Sequence, residues 1–245
     1  MSEICAAHSR QTIEIDLVKK TFFTQATFDF LAELTANNDK TWFETNKPHY
    51  ESLVREPALE FIEAMGPVLR TFAPHFRAEP RKVGGSLMRV FRDTRFSRDK
   101  TPYKTNIGIQ FRHALGRDIH APGFYVHIAT DEPFLAVGCW HPETDALGKI
   151  RDLIAQKPEQ WFAARDDKKF VAHWELDGDS LTRPPRGYDR SHAAIEDIKR
   201  KDFVAISPLS VHEITGSSLV KSAGKCFAEA DPFMKFLCNA LEIPY

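Results

Sequence analysis

The stretch TNIGIQF at residues 105–111 decides the fold, because its side chains alternate in character along the chain. The side chains on one side are Thr105, Ile107, Ile109 and Phe111. Those on the other side are polar or absent: Asn106, Gly108 and Gln110. A period of two residues predicts a β-strand that buries one face.

The same alternation returns in FYVHI (residues 124–128) and FLAVGCW (residues 134–140). A short acidic turn that contains Asp131 and Pro133 separates these two stretches. A further strand candidate, residues 87–91, precedes them. Short strands joined by short connections predict an antiparallel meander over residues 85–141.

Apolar residues at helical spacing precede the meander, over residues 27–36 and 58–72, with a short helix that carries Trp42 and Phe43 between them. The pair Gly66-Pro67 predicts a kink or a split in the second long helix.

Helical spacing follows the meander over residues 144–156 and 219–241, the latter interrupted at Asp231-Pro232. A further strand is predicted over residues 203–209. We therefore predict an α+β fold, in which N-terminal and C-terminal helices flank a central, mainly antiparallel sheet. Residues 1–21 are polar and aperiodic and predict a loosely ordered arm, and residues 22–245 predict one domain.

The composition excludes several classes of function. Basic residues number 33 and acidic residues 34, so the chain has no overall field that would attract nucleic acid or an anionic membrane. The four cysteines include no Cys-x-x-Cys pair, which favours a reducing compartment. We see no secretory signal at the start and no membrane-spanning stretch, and we expect a cytoplasmic protein with no membrane partner.

Positive charge is concentrated in residues 81–104. The basic residues there are Arg81, Lys82, Arg89, Arg92, Arg95, Arg98, Lys100 and Lys104. Only Asp93 and Asp99 oppose them, which leaves an excess of six charges. We call residues 89–104 the cationic loop. Guanidinium groups bind planar anions through paired hydrogen bonds, so phosphate and carboxylate are the natural ligands.

These residues predict a binding site for a small anionic molecule. The predicted ligand-binding residues are Arg89, Arg92, Arg95, Lys100, Lys104 and His127. His127 shares a strand face with Tyr125 and would donate into the same pocket. Tyr103 is the predicted acid/base residue, because a phenol beside cations loses its proton more readily. Asp93 and Asp99 complete the predicted catalytic set by orienting the arginines.

Two other interpretations stay open. The cationic loop could follow a nucleic-acid backbone, although a neutral chain with one local patch argues against a long footprint. Alternating Arg and Asp could also form a purely structural ion-pair network in a partner-binding domain. The sequence indicates no cofactor, reaction type or oligomeric state.

Histidines and a cysteine near the meander do not form a metal signature. They are His113, His120, His127, Cys139 and His141, which lie on or beside different predicted strands. We predict no metal site from them.

The stretch RDTRFSRDKTPYKT at residues 92–105 resembles a protein family known as domain of unknown function 2461. The shared pattern is Arg-Asp-x-Arg-Phe-x-x-Asp-Lys-x-Pro-Tyr-Lys, and residues 92–104 fill it without departure. Other similar stretches are NNDKTWFETNKPHY (37–50), PGFYVHI (122–128) and RPPRGYD (183–189). The resemblance spans about residues 22–243. It implies membership of the family and no particular reaction, substrate or cofactor.

Overall fold

Six strands form one antiparallel sheet in the computed structural model, which describes residues 20–116 and 121–245. In chain order the strands are β1 (Phe76–Arg77), β2 (Ile107–His113), β3 (Gly123–Ile128), β4 (Phe134–Cys139), β5 (Glu175–Asp177) and β6 (Phe203–Pro208). Their order across the sheet is β1-β2-β3-β4-β6-β5, and every neighbouring pair is antiparallel. The predicted meander corresponds to β2-β3-β4, and the predicted α+β fold class is confirmed.

The chain before the sheet is helical. Its helices are α1 (Gln25–Ala36), α2 (Lys40–Tyr50) and α3 (Glu56–Arg70), and a π-helical turn, Glu51–Arg55, joins α2 to α3. Asp39 caps α2 by accepting a hydrogen bond of 2.9 Å from the Trp42 backbone N–H. The turn closes when the Glu56 N–H donates to the Glu51 carbonyl, five residues back.

Helix α3 continues through Gly66 and Pro67 to Arg70, so the expected split at this pair is wrong. Pro67 removes one donor, which would have bonded the Glu63 carbonyl. Glu63 is exposed, and water can therefore satisfy that carbonyl. Burial of the apolar inner face holds the helix together on both sides of the proline.

The chain after the meander supplies further helices. They are α4 (Thr144–Gln156), α5 (Pro158–Arg165), α6 (Lys168–His173), α7 (Ile195–Ile198), α8 (Val211–Thr215), α9 (Leu219–Glu229) and α10 (Asp231–Ala240). Helix α4 has the predicted bounds, and the predicted interruption at Asp231-Pro232 separates α9 from α10. Across the two described ranges, no helix combines the length and the apolarity needed to cross a bilayer.

One face of the sheet is buried against helices. Ile109, Val126 and Leu135 lie side by side on this face and are fully buried. On the same face, the Phe124 ring packs against Phe227 of α9, with ring centroids 5.0 Å apart. The alternation in the sequence thus selects the face that the helices cover.

The opposite face carries the alternate residues and is only partly covered. Gln110, Tyr125, Ala136 and Ile206 lie in register across β2, β3, β4 and β6, and each is half-buried. We call this surface the open face.

The predicted strand over residues 87–91 is replaced by two isolated bridges. Leu87 pairs with Ile109, and Phe91 pairs with Tyr103. The partner segment bends at residues 105 and 106, and this bend interrupts the ladder between the two bridges. Strand β2 therefore begins at Ile107 rather than at Thr105.

The described chain enters the core close to the predicted start of the fold. Phe22 and Phe23 are buried, and both rings pack against Phe61 of α3. Of the predicted arm, residues 1–19 lie outside the described residues.

Gly138→Ala should destabilise the protein strongly. Gly138 in β4 has φ of 114°, and a Cβ at this position would collide with the Phe203 carbonyl oxygen of β6. We expect a loss of about 2 kcal/mol or more in the free energy of unfolding, measured by urea denaturation.

Gly148→Ala is the matched control for this substitution. Gly148 lies inside α4, and a Cβ there meets no atom within 4 Å. Because alanine favours a helix over glycine, we expect a gain of about 0.5–1 kcal/mol. Equal effects of the two substitutions would contradict the strain that we assign to Gly138.

Candidate functional site

The cationic loop is closed at its base by backbone pairing. The Arg92 N–H donates to the Pro102 carbonyl (2.9 Å), and the Lys104 N–H donates to the Val90 carbonyl (2.7 Å). The loop therefore projects from an antiparallel ribbon that continues from the edge of β2.

Within the loop, arginines pair with aspartates. Arg92 contacts Asp99 and Thr101, and Arg95 binds both carboxylate oxygens of Asp93, at 2.6 Å from Nη2 and 2.9 Å from Nε. Hydrogen bonds from these arginines lower the pKa of each aspartate to about 2. Both carboxylates are thus ionised at neutral pH, and an incoming anion has to share these two guanidinium groups with them.

The remaining predicted cations lie apart. Lys100 donates to the Thr94 carbonyl (2.8 Å), which folds this side chain back onto the loop. Arg89 is exposed near Lys104, close enough to lower the pKa of that lysine.

Tyr103 is a buried ring rather than an exposed phenol. It is 2% exposed and stacks on Phe43 of α2 with ring centroids 4.0 Å apart. Asn38 fixes its backbone by donating to its carbonyl and accepting from its N–H, both at 3.0 Å. Burial raises the pKa of Tyr103, and the carboxylates of Glu44 and Asp39 raise it further. The predicted lowering of this pKa by the loop cations is therefore wrong.

A cavity of about 420 Å³ lies between the end of α1 and the cationic loop. Its lining is dominated by polar side chains: Thr35, Asn38, Arg92, Asp99, Thr101, Tyr103, Lys104, Thr105 and Asn106. We call it the polar cavity. Four of the predicted site residues line the polar cavity: Arg92, Asp99, Tyr103 and Lys104.

A second cavity, of about 410 Å³, lies on the open face. We call it the sheet-face cavity. Its aromatic lining comes from Tyr125, His127, Phe134 and Trp140, and its apolar lining includes Ala136 and Ile206. Met88 and Lys104 stand at the edge nearest the cationic loop. Arg89, Asp93, Arg95 and Lys100 line neither cavity.

Tyr125, His127 and Asn106 form a polar cluster at one end of the sheet-face cavity. The Tyr125 hydroxyl lies 3.2 Å from His127 Nδ1, and Asn106 Nδ2 lies 3.4 Å from the same nitrogen. Because an amide NH₂ group only donates, Nδ1 acts as the acceptor. Burial lowers the pKa of His127 and raises that of Tyr125 to about 12, so both side chains are neutral at pH 7.

Gly108 makes room for the Tyr125 hydroxyl. It pairs with His127 across β2 and β3, and a Cβ at Gly108 would lie 2.7 Å from the Tyr125 hydroxyl oxygen. The sequence placed Tyr125 and His127 on one strand face but did not reveal this contact.

Lys104 joins the two cavities, since it is a lining residue of both. It is half-buried, and its Nζ lies 4.0 Å from Met88 Sδ. Burial lowers the pKa of Lys104, and the nearby Arg89 lowers it further. In the described part of the chain, Lys104 has no carboxylate partner within ion-pair distance. It differs in this respect from Arg92 and Arg95.

Asp202 fixes the far end of the sheet-face cavity. Its buried carboxylate accepts from the His141 N–H (2.7 Å), from His141 Nδ1 (2.6 Å) and from the Asp179 N–H (2.9 Å). These bonds hold the chain just after Trp140 and just after Asp177, both of which line the cavity. Burial raises the pKa of Asp202, but the three hydrogen bonds outweigh burial and lower it overall.

The described residues do not gather a metal-binding set. No three His, Cys, Asp or Glu side chains within them lie close enough together to hold an ion. His120 of the histidine series lies outside the described residues.

Fold and cavities together define a class: an α+β protein whose antiparallel sheet is covered by helices on one face and carries a ligand-sized cavity on the other. The profile of one family, described as "Conserved hypothetical protein (DUF2461)", matches residues 26–236. The chain belongs to this family. The cationic loop lies within the matched residues, but its motif as the mark of the family stays a prediction. No curated protein and no solved structure matched the chain.

Tyr103 should release its proton only above the ordinary phenol pKa of 10.0, because burial and nearby carboxylates disfavour the phenolate. The measurement is an ultraviolet pH titration of the phenolate in the wild type and in Tyr103→Phe. The difference between the two curves isolates this residue. A midpoint of this difference below pH 10.0 would restore the earlier expectation for this side chain.

Proposed function

We propose that the protein binds a small molecule that bears a phosphate or a carboxylate, and that Lys104 is the cation on which binding depends. One observation carries the proposal. Lys104 lines both cavities, is half-buried and has no carboxylate partner within ion-pair distance among the described residues.

The energetics favour an anion at this position. Burial removes part of the hydration of an ammonium group, and Arg89 adds repulsion from a like charge. An anion at Lys104 offsets both effects, and a charge-assisted hydrogen bond in a partly dry site is stronger than one in water. Arg92 already has Asp99 as its counter-ion, so its charge is compensated without a ligand.

The other predicted residues differ in how directly they could contact a ligand in the two cavities. Arg92 faces the polar cavity and is held by Asp99, so it can add a hydrogen bond to an anion at Lys104. His127 lines the sheet-face cavity beside Tyr125. A ligand contact by Arg95 or Lys100, with Asp93 as the orienting group, requires movement of the loop.

Geometry favours Tyr125 over Tyr103 as the phenol that faces a ligand. Tyr125 lines the sheet-face cavity and is neutral at pH 7, so its hydroxyl can donate a hydrogen bond or a proton. That hydroxyl has a single hydrogen, so donation to a ligand leaves His127 Nδ1 to accept from Asn106 alone.

Lys104→Met should weaken the binding of inorganic phosphate and of acetate about 10- to 100-fold, because the charge-assisted hydrogen bond is lost. Binding would be measured by isothermal titration calorimetry at low salt. Lys104→Arg should keep most of the affinity. Lys100→Met is the matched control and should bind as the wild type does, since Lys100 lines neither cavity.

The pH dependence gives a second readout of the same experiment. Affinity should fall as the pH rises through the pKa of Lys104, which lies below the ordinary lysine value of 10.5. Equal loss of affinity in Lys104→Met and Lys100→Met, or no binding of either anion to the wild type, would remove the proposal.

One observation favours a second candidate, the binding of single-stranded nucleic acid. Phe96 at the tip of the cationic loop is 96% exposed, and the Arg95 guanidinium lies 5.9 Å from its ring centroid. Exposed aromatic rings beside cations can stack on bases. Under this candidate, Phe96→Ala should weaken the binding of a labelled oligonucleotide severalfold in fluorescence anisotropy, and added salt should weaken it further. Binding that is absent at low salt would exclude it.

A further inference from the structure

We infer that the ligand of this site carries a flat aromatic ring next to its anionic group, and that the ring occupies the sheet-face cavity while the anion lies at Lys104. The inference rests on the proposed function and names the class of molecule that the same site would take: an aryl or heteroaryl phosphate or carboxylate.

The walls of the sheet-face cavity suit a ring. The His127 and Phe134 rings stack on each other, with centroids 4.6 Å apart and planes 10° apart, at the end of the cavity that also holds Tyr125. Trp140 is 49% exposed at the far end, with its ring stacked on His141 at 4.2 Å. Aromatic side chains at both ends favour a ligand that offers a π face or a ring edge.

The floor of the cavity is flat because small residues face it. Gly123 of β3 and Gly138 of β4 are register partners, and both line the cavity. Ala136 adds only a methyl group beside them. The two glycines contribute no side chain, and a planar group can therefore approach the backbone closely beside the Gln110 amide.

Gln110 supplies a polar edge to the otherwise apolar floor. Its side-chain Nε2 lies 3.6 Å from the position that a Cβ of Gly123 would occupy, so the amide borders this glycine. An amide offers both a donor and an acceptor, which suits a ring that contains nitrogen or oxygen atoms.

Size and position connect the ring to the anion. A volume of about 410 Å³ lies within the range of roughly 300–1,000 Å³ that small-molecule sites occupy, so the cavity takes one small ligand. Lys104 stands at the edge of the same cavity. A single molecule can therefore place its charge at Lys104 and its ring among the aromatic side chains of the same cavity.

The test compares two pairs of probes in calorimetry: phenyl phosphate with methyl phosphate, and benzoate with acetate. We expect the aromatic member of one pair or both to bind about tenfold tighter, because its ring buries more apolar area than a methyl group does. Aromatic binding should also change the fluorescence of Trp140, and Trp140→Phe should remove that change.

Ala136→Leu should fill the middle of the cavity and abolish the aromatic preference, while the binding of inorganic phosphate at Lys104 stays unchanged. Ala172→Leu is the matched control, because Ala172 is exposed on α6, and it should keep the preference. Circular dichroism and thermal unfolding would check that both variants fold.

The outcomes separate the two proposals. Anion binding that depends on Lys104, with equal affinity for the aromatic and aliphatic probes, would overturn the inference about the ring and leave the proposed function intact. An aromatic preference that survives Ala136→Leu would also overturn it. Anion binding that is absent for all probes would overturn both.

Discussion

The antiparallel register of β2, β3 and β4 is the constraint on which the rest of the structure depends. It aligns Ile109, Val126 and Leu135 on one face and Gln110, Tyr125 and Ala136 on the other. A slip of one residue in any strand would exchange these sets, exposing apolar side chains and burying polar ones. The helices can cover only the apolar face. The same register therefore leaves the opposite, open face partly uncovered, and the sheet-face cavity lies there.

The cationic loop combines two kinds of charged group with different physical situations. Arg92 and Arg95 have carboxylate partners within the loop, and the exposed Arg95–Asp93 pair contributes little to stability because water screens it. Lys104 lies at the base of the loop, where it is half-buried and lines both cavities. The positive charge that has no partner in the loop and is partly buried thus lies where the chain rejoins the sheet, rather than at the exposed tip.

Regular patterning made much of the fold predictable from the sequence. The alternation in residues 105–140 identified β2, β3 and β4, and helical spacing identified α4 with its bounds. The short strands β1 and β5 contain two and three residues, too few to show a period. Helix α3 continued through Pro67 because burial of its apolar face outweighed the local cost of the proline. Single-residue helix propensity does not include such tertiary burial.

The candidate site was less predictable, because it depends on contacts between distant parts of the chain. The sequence identified the cations and placed His127 beside Tyr125. It could not show that Phe43 stacks on Tyr103, or that Asn38 holds the Tyr103 backbone from 65 residues away. Nor does any local pattern reveal that a sheet face lacks a helical cover, since that depends on where every helix packs.

The π-helical turn between α2 and α3 changes the direction in which the side chains project from the helix on its two sides. A π-turn accommodates one extra residue, and one residue corresponds to about 100° of rotation in an α-helix. The segment before it turns Phe43 toward Tyr103 at the base of the loop, whereas the segment after it turns Phe61 and Met65 into the core. The contiguous helical segments can in this way present side chains to two neighbours that lie at different angles around them, and the change of direction is made by five residues, Glu51–Arg55.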